Sequence, residues 1–222
     1  MLKIYRIYPG SNDNPYLCVD DERYVSMDHM YDFNGKSLKD IWLNYNMYIG
    51  NPKAKSKGFY SFPDAFVFNQ KVHDILGKYL EKYGEFLPIT VEDVPNIHLF
   101  NLLAQCDCID EGKTIYDAKF KDKDDYSVTR IIKGFDNIPS NSFNSTLKTV
   151  FLDTSKIDKP LFFINDSLGR CYGPFCTSGL FSEDQEFYHI CTNNNLQGIE
   201  FFEIDYLNEE GMDRRREFLR FN

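Results

Sequence analysis

The sequence predicts an α+β protein with a mixed, largely antiparallel sheet, and two observations favour that fold class. A strand–helix–strand pattern occurs twice, near residues 62–89 and again near 161–204. The other strand and helix patterns follow one another without the regular βαβ alternation that builds a parallel sheet. At 222 residues the chain can form one domain, 1–222, with a substantial core, or a main body with an N-terminal lobe over 1–60.

The first copy of the pattern begins with a short apolar strand, Ala65–Phe68. A helix follows, with Asn69 as a suitable N-cap and Gly84 as a suitable stop. The helix carries apolar residues at the spacing that places them on one face, namely Val72, Ile75, Leu76, Tyr79 and Leu80. The strand Glu85–Ile89 closes this copy.

The second copy has the strand Leu161–Ile164, a helix expected to begin near Ser182, and the strand Gly198–Ile204. A helix between two strands covers one face of a sheet, so we interpret both copies as scaffold, a duplicated strand–helix–strand unit. We expect the core to contain Phe66, Phe68, Ile75, Leu76, Phe86 and Leu87 from the first copy, and Phe162, Ile164, Ile199, Phe201 and Ile204 from the second.

Two regions outside the copies give weaker signals. Lys3–Tyr8 alternates apolar and polar residues, which predicts a half-buried strand. Asp117–Ser145 is rich in charged and turn-forming residues, so we expect surface loops around one strand, Tyr126–Ile132.

The charge of the chain disfavours nucleic acid as a partner. Lys and Arg total 25 against 34 Asp and Glu, a net charge of −9. Phosphate recognition needs a positive footprint, and the basic run Arg214–Arg216 is offset by acids around it. An acidic protein can attract a basic protein partner, although the same charge also serves solubility.

The location of the protein is predicted from its apolar segments and cysteines. No stretch approaches the roughly 20 apolar residues that span a bilayer. Met1–Arg6 leads into alternating residues and not into the apolar core of a signal peptide. We therefore expect a cytoplasmic protein without membrane contact, whose six cysteines are thiols and not disulfides.

A search for catalytic motifs favours a protein that is not an enzyme. The sequence has no Gly-x-Ser-x-Gly elbow, Walker loop or Gly-x-Gly-x-x-Gly, and its four histidines are scattered. Asp107 and Asp110 could form an acid–base pair only if a cleft raised one pKa. The alternative, which we favour, is that they cap the next turn.

Metal binding is an alternative role for the cysteines. Cys106 and Cys108, with Cys171, Cys176 and Cys191, could supply thiolates to zinc. Structural zinc sites usually draw on wider Cys-x₂-Cys spacings, and buried cysteine otherwise behaves as a small hydrophobe. We therefore expect core cysteines and neither a metal nor a cofactor.

Several short motifs lie between the two copies and at their ends. His98–Leu103 is an apolar–Asn–apolar strand, and Asp107 and Asp110 form an Asp-x-x-Asp turn followed by Thr114. The first copy closes with Glu-Phe-x-Pro at 85–88, and the second with Gly-x-Glu-Phe at 198–201.

Together these motifs resemble immunity protein family eleven of bacterial polymorphic toxin systems, formerly a domain of unknown function. The likeness extends over Phe62–Tyr116 and Val150–Ile204, and the lone Trp42 is compatible with it. Thr114 stands where the family usually has Ser. The resemblance implies no catalytic residues at the Asp pair.

The function that this resemblance implies is that of an antitoxin, which binds a cognate toxin with one-to-one stoichiometry and neutralises it. It also implies deaminase-like toxin domains among the partners. For a basic toxin we expect acidic contact residues outside the scaffold, at Asp122, Asp124, Asp125, Glu183, Asp184 and Glu186. The alternatives are an enzyme that reverses a toxin's modification through the Asp107–Asp110 region, and a binding module unrelated to toxins.

Overall fold

The computed structural model describes residues 2–9, 14–20, 33–55, 57–63, 65–121, 127–142, 144–166, 171–204 and 212–213. Over these residues the protein is mixed α and β, with far more strand than helix and mainly antiparallel pairing. The predicted fold class is confirmed at this level. Within the same ranges no helix has both the length and the apolar character needed to cross a bilayer.

Among these residues the helices are α1 (Gln70–Leu80) and α2 (Phe187–Asn193), with 3-10 turns at Phe135–Asn137 and Thr154–Lys156. The first strands along the chain are β1 (Lys3–Pro9), β2 (Leu17–Val19), β3 (Tyr45–Ile49), β4 (Phe59–Tyr60), β5 (Phe66–Asn69), β6 (Gly84–Leu87), β7 (Ile89–Val91) and β8 (Ile97–Leu102). The later strands are β9 (Gln105–Cys106), β10 (Ile115–Lys121), β11 (Ser127–Lys133), β12 (Asn144–Val150), β13 (Leu161–Asn165), β14 (Cys171–Ser178), β15 (Ile199–Ile204) and β16 (Met212–Asp213).

The chain divides into two compact units. Unit 1 comprises Met1–Cys106, Asp158–Ile164 and Arg170–Glu203, and unit 2 comprises Asp107–Ile157, Asn165–Gly169 and Ile204–Asn222. In unit 1 the described strands form sheets with the orders β15-β1-β14-β13-β9, β4-β5-β8-β6 and β2-β3-β7. In unit 2 the order is β11-β10-β12-β16. The single domain and the separate lobe over 1–60 stay predictions.

The central strands β5 and β8 of unit 1 are buried on both faces. Phe66 and Phe68 point into a cluster that contains residues of α1 and α2, whereas Val67 and Leu99 point into a second cluster around Trp42. A strand covered on both faces has no polar side, so its sequence is a continuous apolar run without alternation. This explains the apolar segments of both strands.

The first copy of the predicted pattern is present, with altered boundaries. The side chain of Asn69 accepts a hydrogen bond from the N–H of Val72 at 3.1 Å, which confirms it as the N-cap of α1. The helix ends at Leu80, and Gly84 is the first residue of β6, where any Cβ would overlap the carbonyl of Asn101. The predicted closing strand divides into β6 and β7 at Pro88, which has no N–H to donate.

The second segment differs from the first. Strand β14 lies between β13 and the helix, and α2 begins only at Phe187, because residues 182–185 form a turn closed by the Gln185 N–H on the Ser182 carbonyl. Strands β5 and β6 both pair with β8, whereas β13 and β15 are separated by β14 and β1. The duplication is therefore not confirmed.

The sheet of unit 2 occupies a segment that we expected to be mainly loops. Strands β10, β11 and β12 pair antiparallel, so Asp117–Ser145 contains parts of three strands where the sequence predicted one. Tyr116, Ala118 and Phe120 are buried on one face of β10. Polar and charged residues occupy most other positions, which hid the strand pattern.

The core prediction is largely confirmed. The predicted residues that are buried are Phe66, Phe68, Leu76, Leu87, Phe162, Ile164, Ile199 and Ile204. Three others, Ile75, Phe86 and Phe201, are only half-buried and pack against the edge of the cluster that contains α1.

We expect Phe66→Ala to lower the free energy of unfolding by about 3–5 kcal/mol, because it opens a cavity between α1, α2 and the sheet. Phe202, at 38% exposure, provides the matched control. Urea unfolding of both variants measures the difference. Equal losses for Phe66→Ala and Phe202→Ala would contradict the position of the core.

Candidate functional site

The motif residues of unit 1 form a buried hydrogen-bond network. The carboxylate of Glu85 accepts hydrogen bonds from Ser37 Oγ and from the N–H of Leu38, both at 2.7 Å. It also accepts one from Asn101 Nδ2 at 2.9 Å. Asn101 Nδ2 donates in addition to the carbonyl of Lys36 at 2.9 Å. These bonds hold residues 36–38 against β6 and β8, so Glu85 and Asn101 are structural.

The lone tryptophan belongs to the same scaffold. Trp42 Nε1 donates to the carbonyl of Pro88 at 2.8 Å, and its ring packs edge-on against Tyr45 and Phe33. Pro88 thus ends β6 and accepts a hydrogen bond from a buried indole.

The Asp-x-x-Asp motif forms a turn in unit 2. Asp110 Oδ1 accepts from the N–H of Lys113 at 3.2 Å, and Asp110 Oδ2 lies 2.8 Å from Lys113 Nζ. The hydroxyl of Thr114 donates to the carbonyl of Asp110 at 2.8 Å and accepts from the N–H of Phe151 at 3.2 Å. The capping role is confirmed for Asp110, whereas Asp107 is exposed.

An acidic cleft of about 640 Å³ opens beside this turn, within unit 2. Five carboxylates and one lysine are among its lining residues, which are Asp107, Ile109, Asp110, Glu111, Gly112, Asp153, Lys156, Asn165 and Asp166. Three separate segments meet there. Two of them are tied by backbone hydrogen bonds from Asp153 to Cys108 at 2.7 Å and from Asp110 to Phe151 at 2.8 Å.

The electrostatics of the acidic cleft favour binding of a cation over acid catalysis. A hydrogen bond from Lys113 lowers the pKa of Asp110, and a hydrogen bond from Ser155 lowers the pKa of Asp153. Both groups are therefore ionised at neutral pH. A general acid needs a raised pKa, which neither provides. A surface of this kind attracts a lysine or arginine side chain.

Two of the predicted contact residues lie in unit 1 at a groove between its helices. Glu183 and Asp184 are exposed in the turn before α2. They line a space of about 880 Å³ together with Ile75, Lys78, Tyr79, Glu81, Lys82, Ile190, Asn193 and Asn194. We call this space the interhelical groove. It combines apolar residues from both helices with charges of both signs.

The expectation of an exposed carboxylate is wrong for Glu186, which is fully buried. Its oxygens accept hydrogen bonds from the N–H groups of Gly179, Leu180 and Phe181 and from Thr177 Oγ1, at 2.7–3.1 Å. Burial opposes its ionisation, but these four donors outweigh that cost and hold the pKa of Glu186 below its ordinary value. Glu186 joins the end of β14 to the start of α2.

A serine and a histidine lie beside Glu186 without forming a catalytic triad. Ser178 Oγ is 2.9 Å from His189 Nε2, and Glu186 Oε2 is 3.4 Å from the same nitrogen. A triad needs the serine and the acid on different ring nitrogens, so that the imidazole can relay a proton. Here both meet Nε2, and the acid is already committed to the backbone.

The other two described histidines stack on each other, which sequence reasoning missed because they are 25 positions apart. The ring centroids of His73 on α1 and His98 on β8 are 3.9 Å apart with an interplanar angle of 18°. His98 Nε2 lies 2.9 Å from Gln70 Oε1. Burial lowers the pKa of His98, the neighbouring His73 lowers it further, and Asp74 opposes the shift. His98 is therefore suited to the neutral state.

The cysteines are reduced and mostly buried. All six lie in described ranges, and Cys106, Cys108, Cys176 and Cys191 are buried. Burial raises the pKa of the Cys176 and Cys191 thiols, so neither is a thiolate. Over the part of the chain that the structure describes, no cluster of three or more His, Cys, Asp or Glu residues could hold a metal ion.

The remaining predicted contact residues, Asp122, Asp124 and Asp125, lie outside the described residues. The acidic cleft was not predicted from the sequence as a site, since its carboxylates come from three distant segments.

Comparison with known proteins identifies no relative. No family model matches the chain, and no curated protein shows significant similarity to it.

Glu85→Ala should lower the free energy of unfolding by about 1–3 kcal/mol, because the N–H of Leu38 and the side chain of Asn101 lose their acceptor. Glu200 is the matched control, since it lies two residues after Gly198 near the end of the second segment but is exposed. Thermal unfolding of Glu85→Ala and Glu200→Ala compares them. A loss for Glu200→Ala as large as that for Glu85→Ala would refute the network's role.

Glu186→Gln should destabilise the protein at neutral pH by about 1–3 kcal/mol, because an amide cannot accept all the hydrogen bonds of the carboxylate. The folded pKa of Glu186 lies below the unfolded value of about 4.3, so its stabilising contribution is present above that pH. The contribution is lost as the pH falls through the folded pKa. Urea unfolding at several pH values should show wild type and variant converging in acid, with exposed Glu183→Gln as a control that changes little.

Proposed function

We propose that this chain is an immunity protein, a cytoplasmic antitoxin that binds a cognate bacterial toxin domain and neutralises it by stoichiometric association. The observation that carries the proposal is the acidic cleft, which gathers five carboxylates at the Asp107–Asp110 turn. That turn is one of the motifs on which the resemblance to immunity protein family eleven rests. A cleft of this charge suits a basic toxin surface.

The contact would resemble other tight protein interfaces. An area of about 1,600 Å² with a few buried anchors is enough for stable association. One lysine or arginine of the toxin, inserted among Asp107, Glu111 and Asp153, would act as such an anchor. Association would cover the active site of the toxin or hold the toxin in an inactive conformation.

The division between scaffold and surface also supports the proposal. Four motif residues make hydrogen bonds that stabilise the fold itself, namely Glu85, Asn101, Asp110 and Thr114. Among the described residues, the exposed side chains of Asp107, Glu183 and Asp184 make no hydrogen bond or ion pair of this kind. Recognition residues of this kind can vary without disturbing a core. The interhelical groove of unit 1 is therefore a second candidate region for partner contact.

The alternative of an enzyme that reverses a toxin's modification is favoured by one observation. The acidic cleft has a volume typical of small-molecule sites, and Asp107 lines it. The stoichiometry of protection distinguishes an antitoxin from such an enzyme. An antitoxin inhibits only up to one equivalent of toxin, whereas an enzyme protects many target molecules per copy.

The test uses the purified chain and the toxin domain encoded by the adjacent gene, with deaminase activity as the first assay. Titration should abolish toxin activity at one equivalent, and the two proteins should elute together. Full protection at a small fraction of one equivalent would favour the enzyme. The absence of both binding and protection would leave a binding module unrelated to toxins.

The double variant Asp107→Lys with Glu111→Lys should slow association with a basic toxin by about tenfold at low salt, because it reverses charge in the acidic cleft. The difference should shrink at high salt. The matched control carries the same charge change at the exposed residues Glu92 and Asp136, outside the cleft. Charge reversal at Glu183 and Asp184 tests the interhelical groove in the same stopped-flow experiment. If the cleft variant and the control associate equally fast, the toxin does not bind at the cleft.

A further inference from the structure

Strand β11 is exposed on both of its faces, which is unusual for a strand of seven residues. Residues 127–131 and 133 are exposed and only Ile132 is half-buried. Ile131 is 63% exposed and Val128 is 38% exposed, so large apolar side chains project into solvent from each face. The burial of side chains therefore contributes little to the stability of β11 as a strand.

Strand β11 also lies at the edge of its sheet. Among the described strands it pairs with β10 alone, over the full length from Ser127 to Lys133. A long exposed edge with apolar side chains is a template for another strand, and proteins usually protect such edges. In this chain the described part of β11 contains neither proline nor a bulge.

The pairing register identifies the backbone groups at the open edge. In an antiparallel pair, opposite residues alternately bond each other and point their N–H and C=O groups away. Gly134 donates to the carbonyl of Thr114 at 2.8 Å, which fixes the phase of the alternation. Thr129, Ile131 and Lys133 therefore point their backbone groups away from β10. Asn137 Nδ2 already donates to the carbonyl of Lys133 at 2.8 Å, which agrees with this phase.

The charge beside this edge is opposite to that of the whole protein. Lys133 projects from the same face as Lys119 and Lys121 of β10, around Ile131. Arg130 projects from the other face, where its guanidinium lies over the ring of Phe120 at 5.3 Å. The acid of β10, Asp117, is buried, so the exposed charges of the described β10–β11 pair are all basic. Asp122, Asp124 and Asp125 lie outside the described residues.

We propose that β11 is a docking edge for an extended acidic segment of a partner protein, which adds to the sheet of unit 2 as a further strand. The outward backbone groups of Thr129 and Ile131 supply the hydrogen bonds, as in other cases of strand addition. Antiparallel pairing with a second copy of β11 over its full length would place Arg130 of one copy directly opposite Arg130 of the other, and like charges across strands are unfavourable. This site is separate from the acidic cleft and does not depend on the antitoxin proposal.

The arrangement of side chains also specifies the partner segment. Residues on the face of Lys119 and Lys133 should be acidic. Residues on the opposite face, beside Val128 and Ile132, should be apolar. A segment of alternating acidic and apolar residues meets both conditions, because successive side chains of a strand point to opposite faces.

The test uses the full chain and a labelled peptide of alternating Glu and Val, as long as β11, with a Lys–Val peptide as its matched control. Fluorescence anisotropy should show binding of the acidic peptide alone. Amide hydrogen exchange measured by NMR should show new protection at Thr129 and Ile131, whereas Arg130, already bonded to β10, should change little. Methylation of the peptide nitrogens that face β11 should weaken binding by about tenfold, because those hydrogen bonds are lost.

Thr129→Pro gives a second test, since it removes an outward N–H without removing a hydrogen bond to β10. This variant should bind the acidic peptide about as weakly as the wild-type chain binds the methylated peptide. The experiment with the methylated peptide remains a valid test even if this variant folds poorly. Equal binding of both peptides, or binding without protection of Thr129 and Ile131, would overturn the proposal. Dimerisation of the wild-type chain in sedimentation, with protection at the same amides, would assign the edge to a second copy instead.

Discussion

The structure of unit 1 depends on the burial of β5 and β8 on both faces. Phe66 and Leu99 have no access to solvent, so every neighbouring element must supply apolar cover. The helix α1 and β14 contribute to one cluster, and the segment around Trp42 contributes to the other. Since buried backbone groups must also be paired, β4, β5, β6 and β8 bond side by side in one sheet. Among the polar groups that remain inside, both carboxylate oxygens of Glu85 accept hydrogen bonds, and Asn101 Nδ2 donates two, which offsets the cost of their burial.

Much of unit 1 could be predicted from the sequence, because its signals are local. The apolar stripe and the N-cap at Asn69 give α1 directly. The first residue of α2 could not be predicted from such local signals. Glu183 and Asp184 are typical of a helix N-terminus, but a turn and the buried carboxylate of Glu186 delay the helix to Phe187. That carboxylate bonds to residues of the preceding loop, which local propensity does not describe.

Unit 2 was harder to predict, and for a related reason. The strands β10 and β11 bury few apolar residues, so the hydrophobic pattern that identifies strands is weak there. Of the acidic cleft, the sequence analysis singled out only Asp107 and Asp110, since Asp107, Asp153 and Asp166 meet only when three segments fold together. The motifs that were visible in the sequence, by contrast, turned out to serve the scaffold. Short patterns identified the residues that hold the fold, while the exposed residues available for recognition follow no pattern.

The position of Pro88 has a mechanical consequence for unit 1. A single residue joins β6, which pairs with β8, to β7, which pairs with β3 in another sheet. The fixed φ of Pro88 and the hydrogen bond that its carbonyl accepts from Trp42 Nε1 restrict the motion of this connection. A distortion of one sheet is therefore transmitted directly to the other. The two sheets should melt as one cooperative body, and neither could be exchanged for a foreign counterpart without rebuilding the joint.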